Sequence, residues 1–137
     1  MTLDTSALVA ILFSEPGYLD LVDRILEADV VRVGAPTLVE TSLVFASRRG
    51  LSARREPNRR RDQVIDELVQ ELGVTVVPFA ELDWHRAADA FARYGRGRHK
   101  AALDFGDCLA YATAAAAGDS LLFVGDDFRH TDLPPAV

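Results

Sequence analysis

Along this chain, short apolar runs alternate with longer stretches in which apolar residues recur every three or four positions. Met1-Thr2-Leu3, stopped by Asp4, predicts a short strand over 1–4. The next nine residues, Thr5 to Phe13, predict a helix capped by Asp4 or Thr5, since a short acceptor side chain there satisfies a free first-turn N–H. Ser14-Glu15-Pro16-Gly17 is a break, and a helix over 18–28 puts Leu19, Val22, Ile25 and Leu26 on one face. Val30 to Val33 predicts a strand. Pro36 fits the first turn of a further helix, which runs to about Arg49 with Glu40 among Leu38, Val39, Leu43, Val44 and Phe45.

Beyond Gly50, residues 51–57 read as a polar link, followed by a helix over 58–72 that Gly73 stops. Val74 to Val77 is a strand, 81–94 a helix, and Tyr94 to Lys100 a flexible basic loop. An alanine-rich helix spans 104–117, ended by Gly118, and Leu121 to Val124 is a strand. A last short strand near Leu133 to Val137 is confined to a sheet edge by Pro134 and Pro135. Strands alternating with helices predict an α/β fold with a mainly parallel sheet covered on both faces. Neither a repeat nor a linker divides the chain, so 1–137 reads as a single domain.

Composition narrows the function classes. An apolar share of 49% over 137 residues supports a packed core rather than disorder. The apolar runs fall well short of the ~20 residues that cross a bilayer, and the start lacks a basic segment, so neither a membrane span nor a signal peptide is expected. The single Cys108 cannot form an internal disulfide, which fits the cytoplasm. A net charge of −6 argues against a generally basic nucleic-acid binder. The positive charge is nevertheless clustered, and all of it is arginine except Lys100 and any protonated histidine. Arg48, Arg49, Arg54, Arg55, Arg59, Arg60 and Arg61 form one group; Arg93, Arg96, Arg98 and Lys100 form another. Such patches suit either phosphates or a partner surface.

Four acids stand where a metal site would want them: Asp4 and Asp126 just past strands, Glu40 and Asp107 within helices. In an open α/β sheet, ligands collect outside the carboxyl ends of the strands. Carboxylates packed there repel unless a cation joins them, and hard oxygen donors favour Mg²⁺ or Mn²⁺. Each acid has a plainer reading beside this one. Asp4 suits a helix N-cap, Glu40 the polar edge of its helix, and Asp126 with Asp127 a turn. Asp104 and Asp107 lie three apart on one side of a helix turn, with Asp104 as N-cap and Asp107 as ligand a plausible division. Gly106 leaves space for a phosphate backbone, and Tyr111, one turn on, reads as packing. No spacing of His85, His99, His130 or Cys108 supports zinc, and no phosphate-binding Gly-x-x-x-x-Gly-Lys loop is present.

Taken in order, four stretches carry a resemblance: Leu3-Asp4-Thr5-Ser6-Ala7-Leu8, Pro36-Thr37-Leu38-Val39-Glu40, Asp104-Phe105-Gly106-Asp107-Cys108-Leu109-Ala110-Tyr111-Ala112, and Leu121 to Phe128 with Thr131-Asp132 beyond. They resemble the acidic motifs of PIN-domain nucleases, and most of all those of VapC toxins, the ribonuclease halves of bacterial toxin–antitoxin pairs. The resemblance implies a three-layer α/β/α sandwich and endoribonuclease activity through metal-activated water, with Mg²⁺ or Mn²⁺ as cofactor. It places the catalytic acids on Asp4, Glu40, Asp107 and Asp126, with Asp4 and Asp107 as the main metal ligands. Many relatives have asparagine where this chain has Asp104. Arg96, Arg98 and Lys100 are candidates to hold flanking phosphates of the RNA. The implied partners are a VapB-type antitoxin and a second copy of the chain, and the Arg48–Arg61 group is expected to serve a partner surface. Rival readings are a PIN nuclease of RNA processing without an antitoxin and a Mg²⁺-binding receiver-type signalling domain. The latter wants adjacent acids after its first strand, whereas Asp4 is followed by Thr5.

Overall fold

The computed structural model describes residues 1–50 and 55–136, the side chains of 55–58 excepted. Four parallel strands, β1 (Thr2–Leu3), β2 (Arg32–Gly34), β3 (Thr75–Val77) and β4 (Leu121–Leu122), form one sheet in the order β3-β2-β1-β4. The helices are α1 (Thr5–Leu12), α2 (Tyr18–Glu27), α3 (Ala35–Arg48), α4 (Arg55–Glu71), α5 (Asp83–Tyr94) and α6 (Phe105–Ala117), with a 3₁₀ turn over Asp127–His130.

The alternation of apolar runs and helical faces is what produces the layers. Leu8, Ile11 and Ile25 of α1 and α2 pack with Leu3, Val33 and Leu122 on one face of the sheet, where Leu68 and Val69 of α4 join them. On the other face Ala87 and Ala90 of α5 meet Ala110, Tyr111 and Ala114 of α6 over Leu121. Small residues let α6 lie close to the sheet. A Cβ on Gly34 of β2 would stand 2.7 Å from Thr113 Oγ1, so α6 rests on backbone there. Leu3, Leu8 and Val33 are wholly buried, each contributing about 1.5–3 kcal/mol against solvent.

Several elements differ from the sequence expectation. β2 is displaced toward its helix, to Arg32–Gly34, with Val30 half-exposed before it. The helix expected from residue 58 begins at Arg55, so Pro57 falls in its first turn, where a missing N–H costs no helical bond. Residues 51–54 of the expected link, with Arg54, lie outside the described residues. β4 has two residues rather than four, because the chain turns off toward Ser6 at Val124. The expected terminal strand reduces to one parallel bridge, Leu121 with Pro135, where Leu121 N–H donates to Pro134 O and Ala136 N–H to Leu121 O. Val137 is outside the described residues. The 94–100 stretch is a compact turn rather than an open loop: Arg98 and His99 N–H donate to Gly95 O, Arg96 N–H to Leu103 O.

The amino-end edge of the sheet is tied by Asp119. It accepts from Thr2 Oγ1 at 2.8 Å and Arg32 Nη1 at 3.0 Å, and pairs with the amino terminus at 3.4 Å. Burial pushes this carboxyl up, but those hydrogen bonds and positive charges outweigh burial and hold it below its usual range. No helix among the described residues is long and apolar enough to cross a membrane.

Candidate active site

The strand order sets the position of the site. From β1 the chain steps to β2 and β3, then returns to β4 on the other side of β1. The crevice opens where that order reverses, at the carboxyl ends of β1 and β4. Asp4 is the residue that follows β1. Its backbone N–H donates to Leu122 O at 3.0 Å, so it is stitched to β4 while its side chain caps α1. The capping bonds fall on Oδ2, from Ser6 N–H at 2.9 Å and Ser6 Oγ at 2.5 Å. Ser6 Oγ in turn accepts from Val124 N–H at 2.9 Å, which ties Asp4 to the segment after β4. Burial pushes the Asp4 carboxyl up; the Ser6 bonds oppose this, and the charge of Asp104 adds to it.

Glu40 reaches the same place from α3. Its carboxylate accepts from Thr5 Oγ1 at 2.6 Å, beside Asp4. It also fills the space above Gly106, where any Cβ would overlap its carboxylate. That contact explains a glycine in the first turn of α6. Burial, and then the charges of Asp4 and Asp104, raise Glu40 above its ordinary range despite the Thr5 bond.

Asp104 and Asp107 form a reciprocal cap at the start of α6. Asp107 N–H donates to Asp104 Oδ1 at 3.0 Å, and Asp104 N–H to Asp107 Oδ2 at 2.8 Å. This is the acidic counterpart of a capping box. Burial pushes Asp107 up to about 7, with the charges of Asp104, Asp4 and Asp127 adding to it and the Asp104 backbone bond opposing.

Asp4 and Asp104 therefore stand within electrostatic reach of both Glu40 and Asp107. Among the described residues, none of Asp4, Glu40 or Asp107 is paired with a basic side chain. Asp126 is placed differently. Its carboxylate is exposed and pairs with His130 Nε2 at 3.0 Å and Arg129 Nε at 3.7 Å. The neighbour whose charge bears on Asp107 is Asp127. Of the three basic candidates, Arg96 is beside the site, 3.9 Å from Asp104 Oδ2. The Arg98 guanidinium lies over the Phe91 ring, 5.7 Å from its centroid, and Lys100 is exposed.

The donor set is wholly carboxylate, the chemistry a hard divalent cation takes. As the side chains stand, no three described His, Cys, Asp or Glu residues close around one point. The arrangement is thus an open acidic cleft, suited to an ion that keeps several waters. Ser6, Thr5 and Tyr111 escape a reading of the sequence as more than capping or packing residues. The Ser6 position two after the Asp4 cap was the one available signal.

An apolar groove of about 670 Å³ adjoins the acids. It is lined by Pro36, Val39 and Leu43 of α3, Phe79, and Phe105 and Leu109 of α6, with Glu40, Asp104 and Gly106 at its edge. Phe105 is 80% exposed there.

Comparison with known proteins agrees with this geometry. The PIN domain family model matches residues 1–133. The chain is 40% identical over 134 residues to Ribonuclease VapC36 of Mycobacterium tuberculosis, covering 97% of this chain and 91% of that one. It is 38% identical over 138 residues to Ribonuclease VapC28 of the same organism, covering 100% and 98%. Ribonuclease VapC of Mycolicibacterium smegmatis is 40% identical, covering 97% of both. A crystal structure of VapBC2 from Rickettsia felis bound to a promoter DNA fragment superposes with a TM-score of 0.69 over 98% of this chain and 95% of that one, at 14% identity. That likeness speaks to the fold. With acids converging at the reversal point of a parallel sheet and these matches along nearly its whole length, the chain belongs to the PIN-domain family, among the VapC ribonucleases.

Proposed function

We propose that this VapC-family ribonuclease hydrolyses RNA phosphodiesters with Mg²⁺ or Mn²⁺ held by Asp4 and Asp107, and that Glu40 and Asp126 complete the acidic site directly or through water. The observation that carries the reading is the gathering of Asp4, Glu40, Asp104 and Asp107 at the carboxyl end of β1, with none of Asp4, Glu40 or Asp107 paired with a basic side chain among the described residues. Carboxylates gathered in this way repel one another, and a cation among them relieves that repulsion; burial and the neighbouring acids already push Asp107 up. Asp104 and Asp127 add negative charge at the same place.

When bound, a divalent cation there supplies a water nucleophile of lowered pKa and neutralises charge on the phosphate. The rest of the chemistry belongs to the chain. Ser6 holds Oδ2 of Asp4 through its N–H and its hydroxyl, which fixes the carboxylate. Thr5 orients Glu40. Gly106, without a side chain, allows the Glu40 carboxylate into the site. Arg96 is proposed to hold a phosphate flanking the scissile one, with Arg98 and Lys100 further along the same turn; its nearness to Asp104, 3.9 Å, supports this.

The same reading extends to partners. A VapB-type antitoxin is the proposed inhibitor, and exposed Leu19 and Leu26 on α2 support a docked helix. The Arg48–Arg61 group is proposed to serve that surface, although Arg48 already pairs with Glu15 and, with Arg49, lies over the Phe13 ring. A homodimer across the groove is supported by exposed Val39, Leu43 and Phe105, and a solution mass twice the 15.0 kDa chain checks it. The proposed location is the cytoplasm, and residues 1–137 are proposed to fold as one unit.

The test is cleavage of defined RNAs by purified protein with and without Mn²⁺, beside Asp4→Asn. Metal-dependent cleavage lost in the folded variant is the expected result. Cleavage of equal rate in chelator, or in Asp4→Asn, refutes the reading.

A further inference from the structure

The segment from Val124 to Asp132 carries both Asp126 and Asp127, yet Val124, Gly125, Asp126, Asp127 and Arg129 are all exposed. Such a stretch has little packing of its own to fix where its acids stand. It is pinned at three places. Val124 N–H is bound by Ser6 Oγ, the hydroxyl that also holds Asp4. Phe128, 4% exposed, packs on the Phe123 ring at 5.2 Å between centroids. At the far end, Asp132 Oδ1 accepts from Tyr111 Oη at 2.6 Å, and Asp132 Oδ2 from Arg93 Nη2 at 2.8 Å.

The far pin is built more firmly than a surface contact needs. Tyr111 is 6% exposed and lies on α6 four residues after Asp107, hence on the same side and about 6 Å along the helix axis. Arg93 also donates to Tyr94 Oη at 2.6 Å, with its guanidinium 4.7 Å from that ring's centroid, and pairs with Asp89 at 3.5 Å. The Tyr111 bond holds the Asp132 carboxyl below its usual range, burial opposing and Arg93 adding to the effect. The two ends of the strap are thus fastened to α1, which Asp4 caps, and to α5 and α6, the latter carrying Asp107.

We propose that Tyr111, Arg93 and Asp132 are positioning residues that hold the 124–132 strap against α6 and thereby set Asp127 beside Asp107. This rests on the active-site reading above and assigns these three residues a task in it. None of them touches the acids directly. Their effect passes through where the strap places its charge. The geometric link is Ser6 Oγ, which donates to Asp4 and accepts from Val124 N–H, so the strap starts beside the acids; the charge of Asp127 adds to the rise at Asp107.

Tyr111→Phe removes one oxygen and keeps the buried ring. Mn²⁺ binding to the full chain, read by calorimetry, is expected to weaken by about tenfold, as when a group that orients a ligand is lost. The Mn²⁺ concentration for half-maximal cleavage rises equally, while the rate at saturating Mn²⁺ stays within about twofold of wild type. Mere loss of folded protein would instead lower the saturating rate at unchanged Mn²⁺ affinity. Arg93→Lys, which keeps the charge, is expected to retain most of the affinity that Arg93→Ala loses. In an Asp127→Asn background, Tyr111→Phe should weaken Mn²⁺ binding no further. Wild type that neither binds Mn²⁺ nor cuts RNA overturns the active-site reading itself. Wild type that does both, with Tyr111→Phe unaltered in affinity or equally harmful without Asp127, overturns the strap alone.

Discussion

Gly106→Ala is the sharpest probe of how the acidic cleft is assembled. A Cβ there would overlap Glu40 Cδ and both carboxylate oxygens. The obstacle is the far end of a long side chain, so Glu40 swings away and gives up the 2.6 Å bond from Thr5 Oγ1. A hydrogen bond to a charged group is worth about 1.5–3 kcal/mol, and Glu40 is only half-buried, so about 1–2 kcal/mol is at stake. Alanine for glycine in a helix recovers up to about 0.5–1 kcal/mol, less at the second position of α6. In wild type the substitution should therefore be destabilising, by roughly 0.5–2 kcal/mol. In a Glu40→Ala background nothing blocks the new methyl, and the same change should be neutral or stabilising by up to about 0.5 kcal/mol. The coupling between the two, about 1–2 kcal/mol, is read from urea midpoints of the four proteins in a double-mutant cycle. RNA cleavage by Gly106→Ala should fall as well, because the carboxylate has left its place beside Asp4 and Asp104. Equal effects of Gly106→Ala in both backgrounds would show that glycine is not there to admit Glu40.

Further expectations concern charge. Asp107 has a folded value of about 7 against an ordinary 3.8; a raised carboxyl stabilises below 3.8 and loses that contribution as pH climbs through 7. Metal-free protein should thus be less stable at pH 8 than at pH 5, by about 1–2 kcal/mol once the roughly 3 kcal/mol implied at face value over that interval is discounted for solvent screening; chemical melts across that range check it, and Asp107→Asn should flatten most of the slope. Asp104→Asn should keep the cap, shift stability by about 1 kcal/mol or less and retain most cleavage, whereas Asp107→Asn should stay folded by circular dichroism and lose cleavage by orders of magnitude; equal inactivity of both would make Asp104 part of the catalytic set. Arg96→Ala should reduce the salt dependence of RNA binding by about 0.7 in log–log slope, the value for one phosphate contact on a single strand, and a larger loss in Arg98→Ala would reverse their order.

Much of the fold was legible because its signals are local. The cap at Asp4, the helix stops at Gly50, Gly73 and Gly118, and the alternation of strand with helix depend on neighbours a few residues apart, and they stand in the structure within a residue or two. Boundaries were missed where local signals conflict with sheet pairing or packing. Pro57 signals a link by its type, although its first-turn place in α4 asks nothing of its missing N–H. β2 slid to Arg32–Gly34 because its register is set by Met1–Leu3 and β3 rather than by its own apolar run.

The sequence by itself supplied the candidate acids, through residue type and the resemblance of their motifs, and offered Asp104 as the cap of α6, which the structure bears out. It could not decide what any of them faces. Only the strand order put Asp4 at the reversal point between β1 and β4, and only the packing of α3 against α6 brought Glu40 over Gly106. Only the strap's return gave Asp126 the company of Arg129 and His130 while Asp127 bears on Asp107. Burial, which pushes Asp107 to about 7, is likewise a property of the assembled layers. Propensity and capping act over one turn of chain. Desolvation and charge coupling depend on distances through space, and those exist only once the sheet has chosen its order.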